Sequence, residues 1–220
     1  FNSEEINNQN SRIILKGSVE NHAVISGAGM VNGWKKWKGN IWRTYIPEVK
    51  NGGWSFRQVW VNGELRHRAK LPNTGFYRVA GFPDGGHEIS YQTPCRRFEF
   101  EQGQFGPQWK NLRDIEVIVS HFWTDTHMKV DSVNSETNIV SFQNKSGKAF
   151  TDDFTSNGAR YIIENVFEGL DSPGEWYLDK NTGYIYYIPM EGEDLAKIEF
   201  MAPVTEKFII MKGVPEKNRS

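Results

Sequence analysis

The chain has 220 residues, enough for one large or two small domains with a sizeable core. Aromatic residues make up 14% and glycine supplies 21 positions, a balance that favours strands and turns over helices. The net charge of −1 is dispersed, with no basic stripe for nucleic acid, and no apolar run reaches the roughly 18 residues of a membrane span.

Two apolar segments near the ends echo each other. Residues 12–15 are followed by Lys16–Gly17, and residues 208–211 by Lys212–Gly213. A further strand is expected at 23–26, after a polar turn at 18–22. Short strands at this spacing fit successive faces or coils of a parallel β-helix. From Trp34 the texture changes. Residues 43–46 read as a short strand ended by Pro47. Residues 56–61 alternate large side chains, Asn62–Gly63 is the strongest short hairpin signal, and 64–69 returns as the partner. A loop follows at 71–75 and a brief strand at 98–100. Residues 115–123 read as one long β-branched and aromatic strand. Residues 128–133 and 137–142 make a hairpin, and 161–166 fits a strand or a short helix. A second hairpin joins 175–179 to 184–188 through a turn at 180–183. A helical turn fits 193–197, and 198–202 with 208–211 leads back to the end segments.

The expected organisation is all-β. The start of a parallel β-helix covers 1–33, an antiparallel sandwich or barrel covers 34–203, and the chain returns to the β-helix at 204–220. The single Cys95 excludes an internal disulfide. The chain starts at Phe1 rather than Met, as a processed or trimmed chain would, so the missing signal peptide is silent on secretion.

Four stretches carry a resemblance through their order: residues 23–27 with Gly33–Trp34; 56–63 with 66–72; 109–114; and 164–168 through 174–179 to Gly183 and Tyr186. Together they resemble the N-terminal region of right-handed parallel β-helix proteins similar to glycoside hydrolase family 141, which carry a β-rich insertion. The resemblance spans roughly residues 12–213. It implies a saccharide-degrading parent, a secreted, periplasmic or cell-surface location, and catalytic carboxylates on later coils outside these residues. No catalytic residue is therefore assigned here.

Several side chains fit glycan contact. Sugar rings present apolar C–H faces that stack on tryptophan, and Trp34, Trp37 and Trp42 stand among Lys and Gly. The bland reading is core packing, which suits Trp176 and Tyr177 better. Arg57, Arg66 and Arg68, with His67 and Lys70, form a cationic group. A hairpin turned at Asn62–Gly63 sets Arg57 beside Arg68, where they could bind a uronate or sulfate. The bland alternative is pairing with Glu64, Asp84 or other carboxylates. His121, Trp123, Asp125 and His127 would share one face of an extended strand. Metal ligation there needs a bend, since sites two apart lie about 7 Å from each other. Acid/base work or plain hydrogen bonding are the alternatives, and no metal is expected. Carboxylate pairs such as Asp171 and Glu175 could serve a glycosidase, although Asp171 and Asp179 also read as turn residues accepting backbone N–H bonds.

Neither a nucleotide nor another cofactor is indicated. Gly27, Gly29 and Gly33 lack the amphipathic helix a dinucleotide loop requires. Arg96 and Arg97 could lower the Cys95 thiol pKa, yet no protease spacing accompanies it. The expected function is a non-catalytic accessory domain that shapes or extends a glycan-binding cleft. Its partners are an oligosaccharide or polysaccharide and the remaining β-helix. The rivals are a chain that itself hydrolyses glycosides and a purely structural cap on the solenoid.

Overall fold

A computed structural model of the protein describes residues 16–17, 24–152 and 157–210. The expectations at residues 12–15, 18–23 and 211–213 lie outside the described residues. In chain order the strands are β1 (Ala28–Met30), β2 (Lys35–Lys38), β3 (Ile41–Tyr45), β4 (Val59–Val61), β5 (Glu64–Arg68), β6 (Lys70–Leu71), β7 (Tyr77–Arg78) and β8 (Arg97–Glu99). They continue as β9 (Glu116–Ser120), β10 (Asp125–Asn134), β11 (Ile139–Phe142), β12 (Arg160–Glu164), β13 (Glu175–Asp179), β14 (Tyr184–Tyr187) and β15 (Phe200–Pro203). A one-turn helix, α1 (Pro47–Lys50), and two short 3₁₀ turns complete the described elements. The all-β expectation is met.

Two curled sheets form. The first has the order β1-β15-β4-β5-β13-β14-β3-β2, and the second β6-β12-β9-β10-β11-β8, with β7 also on β12. The two sheets follow from local chemistry. At the β4–β5 turn, Asn62 and Gly63 have φ of 51° and 80°, the left-handed pair that a tight hairpin needs. In β13 all five residues are buried. Trp176 and Leu178 pack with Val59, Val61, Ile185, Tyr187 and Phe200 on one face. Tyr177 packs with Ala69, Leu170, Tyr186 and Ile188 on the other. A period of two thus gives the first sheet two apolar faces at its centre. The second sheet has its own core around Phe98, Val117, Val119, Phe142, Phe150 and Tyr161.

One bent strand belongs to both sheets. The chain leaves the first at Arg68 and joins the second at Lys70. Between them, Ala69 N–H donates to the Trp176 carbonyl at 2.7 Å, and the Ala69 carbonyl accepts from Asn165 N–H at 2.9 Å. Because β5 also runs parallel to β13 there, the β4–β5 hairpin leans over the outer face of the second sheet.

The two ends of the described core are neighbours. β1 pairs antiparallel with β15, Ala28 opposite Pro203, and Val204 N–H donates to the Gly27 carbonyl at 2.8 Å.

Some local expectations change and others are resolved. Residues 24–26 and 208–210 carry no strand, and no parallel β-helix coil is seen among the described residues. A lone extended segment gains no ladder bonds, and Val24, Ile25, Phe208 and Ile210 stay at least half exposed. The long strand expected at 115–123 stops at Ser120, where His121 N–H donates to the Thr124 carbonyl at 2.8 Å and closes a tight hairpin. β propensity concealed a turn that has no Gly or Asn to announce it. Of residues 161–166, left open between strand and short helix, 161–164 belong to strand β12, and the helical turn expected at 193–197 is present as a single turn on the Asp194 carbonyl. Pro47 opens α1 as well as ending β3, its fixed φ suiting a first helical position.

Candidate functional site

The site is a cleft between the β4–β5 hairpin and the outer face of the second sheet. It encloses about 490 Å³, with Arg57, Leu65, His67, Arg68, Ile118 and His127 in its lining. Register builds the floor. On β9, Ile118 lies opposite His127 of β10 and Ile162 of β12. One step along, Glu116 lies between Lys129 and Glu164, and one step the other way Ser120 lies between Asp125 and Arg160. The intervening Val117 and Val119 enter the core, so these rows share the outer face.

Glu116 joins the sheets. Its buried Oε2 accepts from Arg57 Nη2 at 2.5 Å and from Arg68 Nη1 at 2.9 Å. Arg68 Nη1 also donates to Glu164 Oε2 at 3.3 Å. Its side chain is only 9% exposed, and its Nε finds no partner among the described residues. Arg57 is 56% exposed and also reaches His127 Nδ1 at 3.0 Å. A neutral ring that accepts there carries its hydrogen on Nε2, which faces Asp125 Oδ2 at 3.5 Å. The expected approach of Arg57 to Arg68 is thus real, through the shared carboxylate that also fulfils the ion-pair alternative. Arg66 turns elsewhere. It donates to Glu64 at 2.8 Å and Glu193 at 2.7 Å, with the Tyr187 hydroxyl alongside at 3.2 Å. Burial opposes ionisation of Glu193, but the Tyr187 hydroxyl and Arg66 outweigh it and hold its pKa low.

The tryptophans divide. Trp34 packs, partly buried, against the core, its ring 4.7 Å from Phe200 and its N–H on the Val31 carbonyl. Trp42 is half-buried on β3. Trp37 is 39% exposed and packs on Tyr186 and Phe167, with the Arg43 guanidinium 5.4 Å from its ring centre. The chain's own cations, Arg43 and Lys110, already sit against that aromatic group. Trp123 is the contrast. It is 72% exposed at the β9–β10 turn, edge-to-face with Phe122 at 4.7 Å.

The histidine group also splits. His121 Nε2 lies 3.0 Å from the Thr126 hydroxyl and tightens the turn, while Asp125 and His127 form their own pair. No cluster of three His, Cys, Asp or Glu side chains that could hold a metal exists among the described residues.

Other readings are corrected by burial and bonding. Asp171 accepts from Asn73 Nδ2 and the Ser172 hydroxyl, whereas Glu175 takes the Asp171 and Ser172 backbone N–H groups. Burial pushes the Glu175 carboxyl up, yet it clamps a turn and lies outside the cleft lining. Asp179 does cap its turn, accepting from Asn181 N and Thr182 N, and its other oxygen lies 2.7 Å from Lys110 Nζ. Burial pushes the Cys95 thiol up, and Arg96 and Arg97 bond to the Phe142 carbonyl and Asp84 instead of lowering it. Glu116 was missed by sequence reasoning. Its only signal was one carboxylate inside the β-branched run 115–119.

The fold is shared with a solved chain described as a glycoside hydrolase. The TM-score is 0.66 and the identity 21%, covering 84% of this chain and 32% of that one, so this chain spans about a third of that structure. No curated protein matches the sequence significantly. A family model described as the GH141 insertion domain matches residues 39–190, which takes in β3 to β14 and every cleft side chain on β5, β9 and β10. The chain belongs to the GH141 insertion domain family.

Proposed function

We propose that the chain is a non-catalytic module inserted into a carbohydrate-active β-helix enzyme, where it extends the glycan-binding cleft. The observation that carries this reading is the meeting of its ends. Gly27 and Val204 are joined by a 2.8 Å backbone bond, so a host chain could leave and resume its path at almost one point. The exposed Val24, Ile25, Met30, Val204 and Phe208 gather around that point and suit burial against a host. The charge pattern speaks against local hydrolysis. Glu116 and Glu164 both give an oxygen to the same Arg68 nitrogen, whereas a glycosidase presents one acid and one base to the bond it cuts.

The test is excision. In the whole enzyme, residues 28–203 are replaced by a short Gly–Ser link between Gly27 and Val204. The expected variant folds, still cleaves a small aryl glycoside, and shows a raised KM on a long glycan. Loss of aryl glycoside cleavage in a folded variant would move the chemistry into this chain. An unchanged KM on the long glycan, with lowered stability, would leave only a solenoid cap.

A further inference from the structure

We infer that the outer face of the second sheet, from Trp123 through Asp125 and His127 to Arg57, is a subsite for an uncharged oligosaccharide. This deepens the proposed function and rests on it.

The argument starts at the turn. His121 N–H bonded to the Thr124 carbonyl leaves Phe122 and Trp123 as the two corner residues of a tight hairpin. Such corners often carry Asn, Asp or Gly, although neither Phe122 nor Trp123 has a positive φ here. Two large aromatics stand there instead. Trp123 is 72% exposed, and the edge-to-face contact with Phe122 steadies its ring without covering it. Two large aromatics at an exposed corner, where small polar residues are usual, point to recognition.

The rest of the row supplies what a sugar ring needs. Asp125 and His127 lie on one face of β10, about 7 Å apart by strand geometry. Asp125 accepts from hydroxyls, while His127 and the half-exposed Arg57 can donate to them. Half-buried Ile118 lies beside His127 on β9, and Ile162 beyond it on β12, as an apolar floor. The 490 Å³ cleft, lined by Arg57, Ile118 and His127 with Asp125 and Trp123 outside that lining, lies within the usual size of a small-ligand pocket. Charge selects the ligand class. Arg68 is neutralised by Glu116 and Glu164, Arg66 by Glu64 and Glu193, and Arg57 by Glu116. With those four carboxylates beside the three arginines, a uronate or sulfate meets no surplus of positive charge. A neutral chain, stacked at Trp123 and hydrogen-bonded by Asp125, His127 and Arg57, fits better.

The experiment is isothermal titration of the 220-residue chain with xylohexaose, cellohexaose and trigalacturonic acid, with the Trp123 indole N–H followed by NMR. Measurable binding of at least one uncharged hexaose is expected, with that indole resonance shifting. Trp123→Ala should weaken it at least tenfold and Arg57→Ala about threefold, while Trp37→Ala should stay within twofold. Trigalacturonic acid should bind at least tenfold more weakly than the hexaose. Hexaose binding indifferent to Trp123→Ala, or a preference for trigalacturonic acid, would overturn the subsite and leave the accessory reading standing. No binding of any probe would also overturn it, and the excision experiment would then decide the accessory reading alone.

Discussion

Glu116→Gln tests the tie between the two sheets. The wild-type carboxylate is buried and accepts from both Arg57 and Arg68. Neutralising it leaves the Arg68 guanidinium, 9% exposed, with Glu164 at 3.3 Å as its remaining anion. Removing one partner of a buried ion pair costs about 3–5 kcal/mol. The glutamine carbonyl keeps one acceptor and Glu164 remains, so the lower end applies, about 3 kcal/mol. In a domain of this size each kcal/mol moves the melting temperature by about 2–4 °C, which gives a fall of about 6–12 °C. Urea unfolding followed by tryptophan fluorescence should show the same loss at an unchanged m-value. Arg57→Ala is the internal control. It reaches the same oxygen, but its side chain is 56% exposed, and water screens it to less than about 1 kcal/mol. A paired change, Arg68→Met with Glu116→Leu, should recover most of the loss, because no uncompensated charge stays in the cleft wall. Equal losses for Glu116→Gln and Arg57→Ala, or a Glu116→Gln loss below about 1 kcal/mol, would refute the idea that a desolvated ion pair holds the hairpin over the second sheet.

Three further predictions rest on separate features. Burial raises the pKa of Asp179, but Lys110, Thr182 and Asn111 outweigh it and hold the carboxyl below its ordinary value of 3.8. Its stabilisation is therefore complete above that value and is lost as pH falls through the lower folded pKa. Stability curves between about pH 5 and pH 2 should be shallower for Asp179→Asn than for wild type, which thermal melts at each pH will show. Gly63→Ala meets open space and bears only the strain of a φ of +80°, about 1 kcal/mol. Gly158→Ala would bring a Cβ 2.0 Å from the Val79 carbonyl oxygen, so its loss of melting temperature should be several times larger. Cys95 is 2% exposed and its thiol is pushed up by burial, so iodoacetamide should label it far more slowly in the native chain than in urea.

Much of the architecture was legible because strands and hairpins write local signals. Asn62–Gly63 announced the β4–β5 turn, and the turn at 180–183 announced the hairpin of 175–179 with 184–188 at the centre of the first sheet. The same β4–β5 hairpin register sets Arg57 beside Arg68. The β9–β10 turn was not legible, because His121, Phe122 and Trp123 carry strand propensity and the turn has no glycine. Exposure was not legible either. Trp34 and Trp123 are the same residue type, yet one lies against Phe200 and the other stands in water.

Composition and local pattern alone determined that the chain would be all-β, with little helix. Those properties depend on propensities and turn chemistry that act over a few residues. Tertiary structure alone decided that Glu116 of β9 meets Arg57 and Arg68, and that Gly27 meets Val204. These partners are separated by 48 or more residues, and only the bend at Ala69 and the long-range pairing of β1 with β15 bring them within bonding distance.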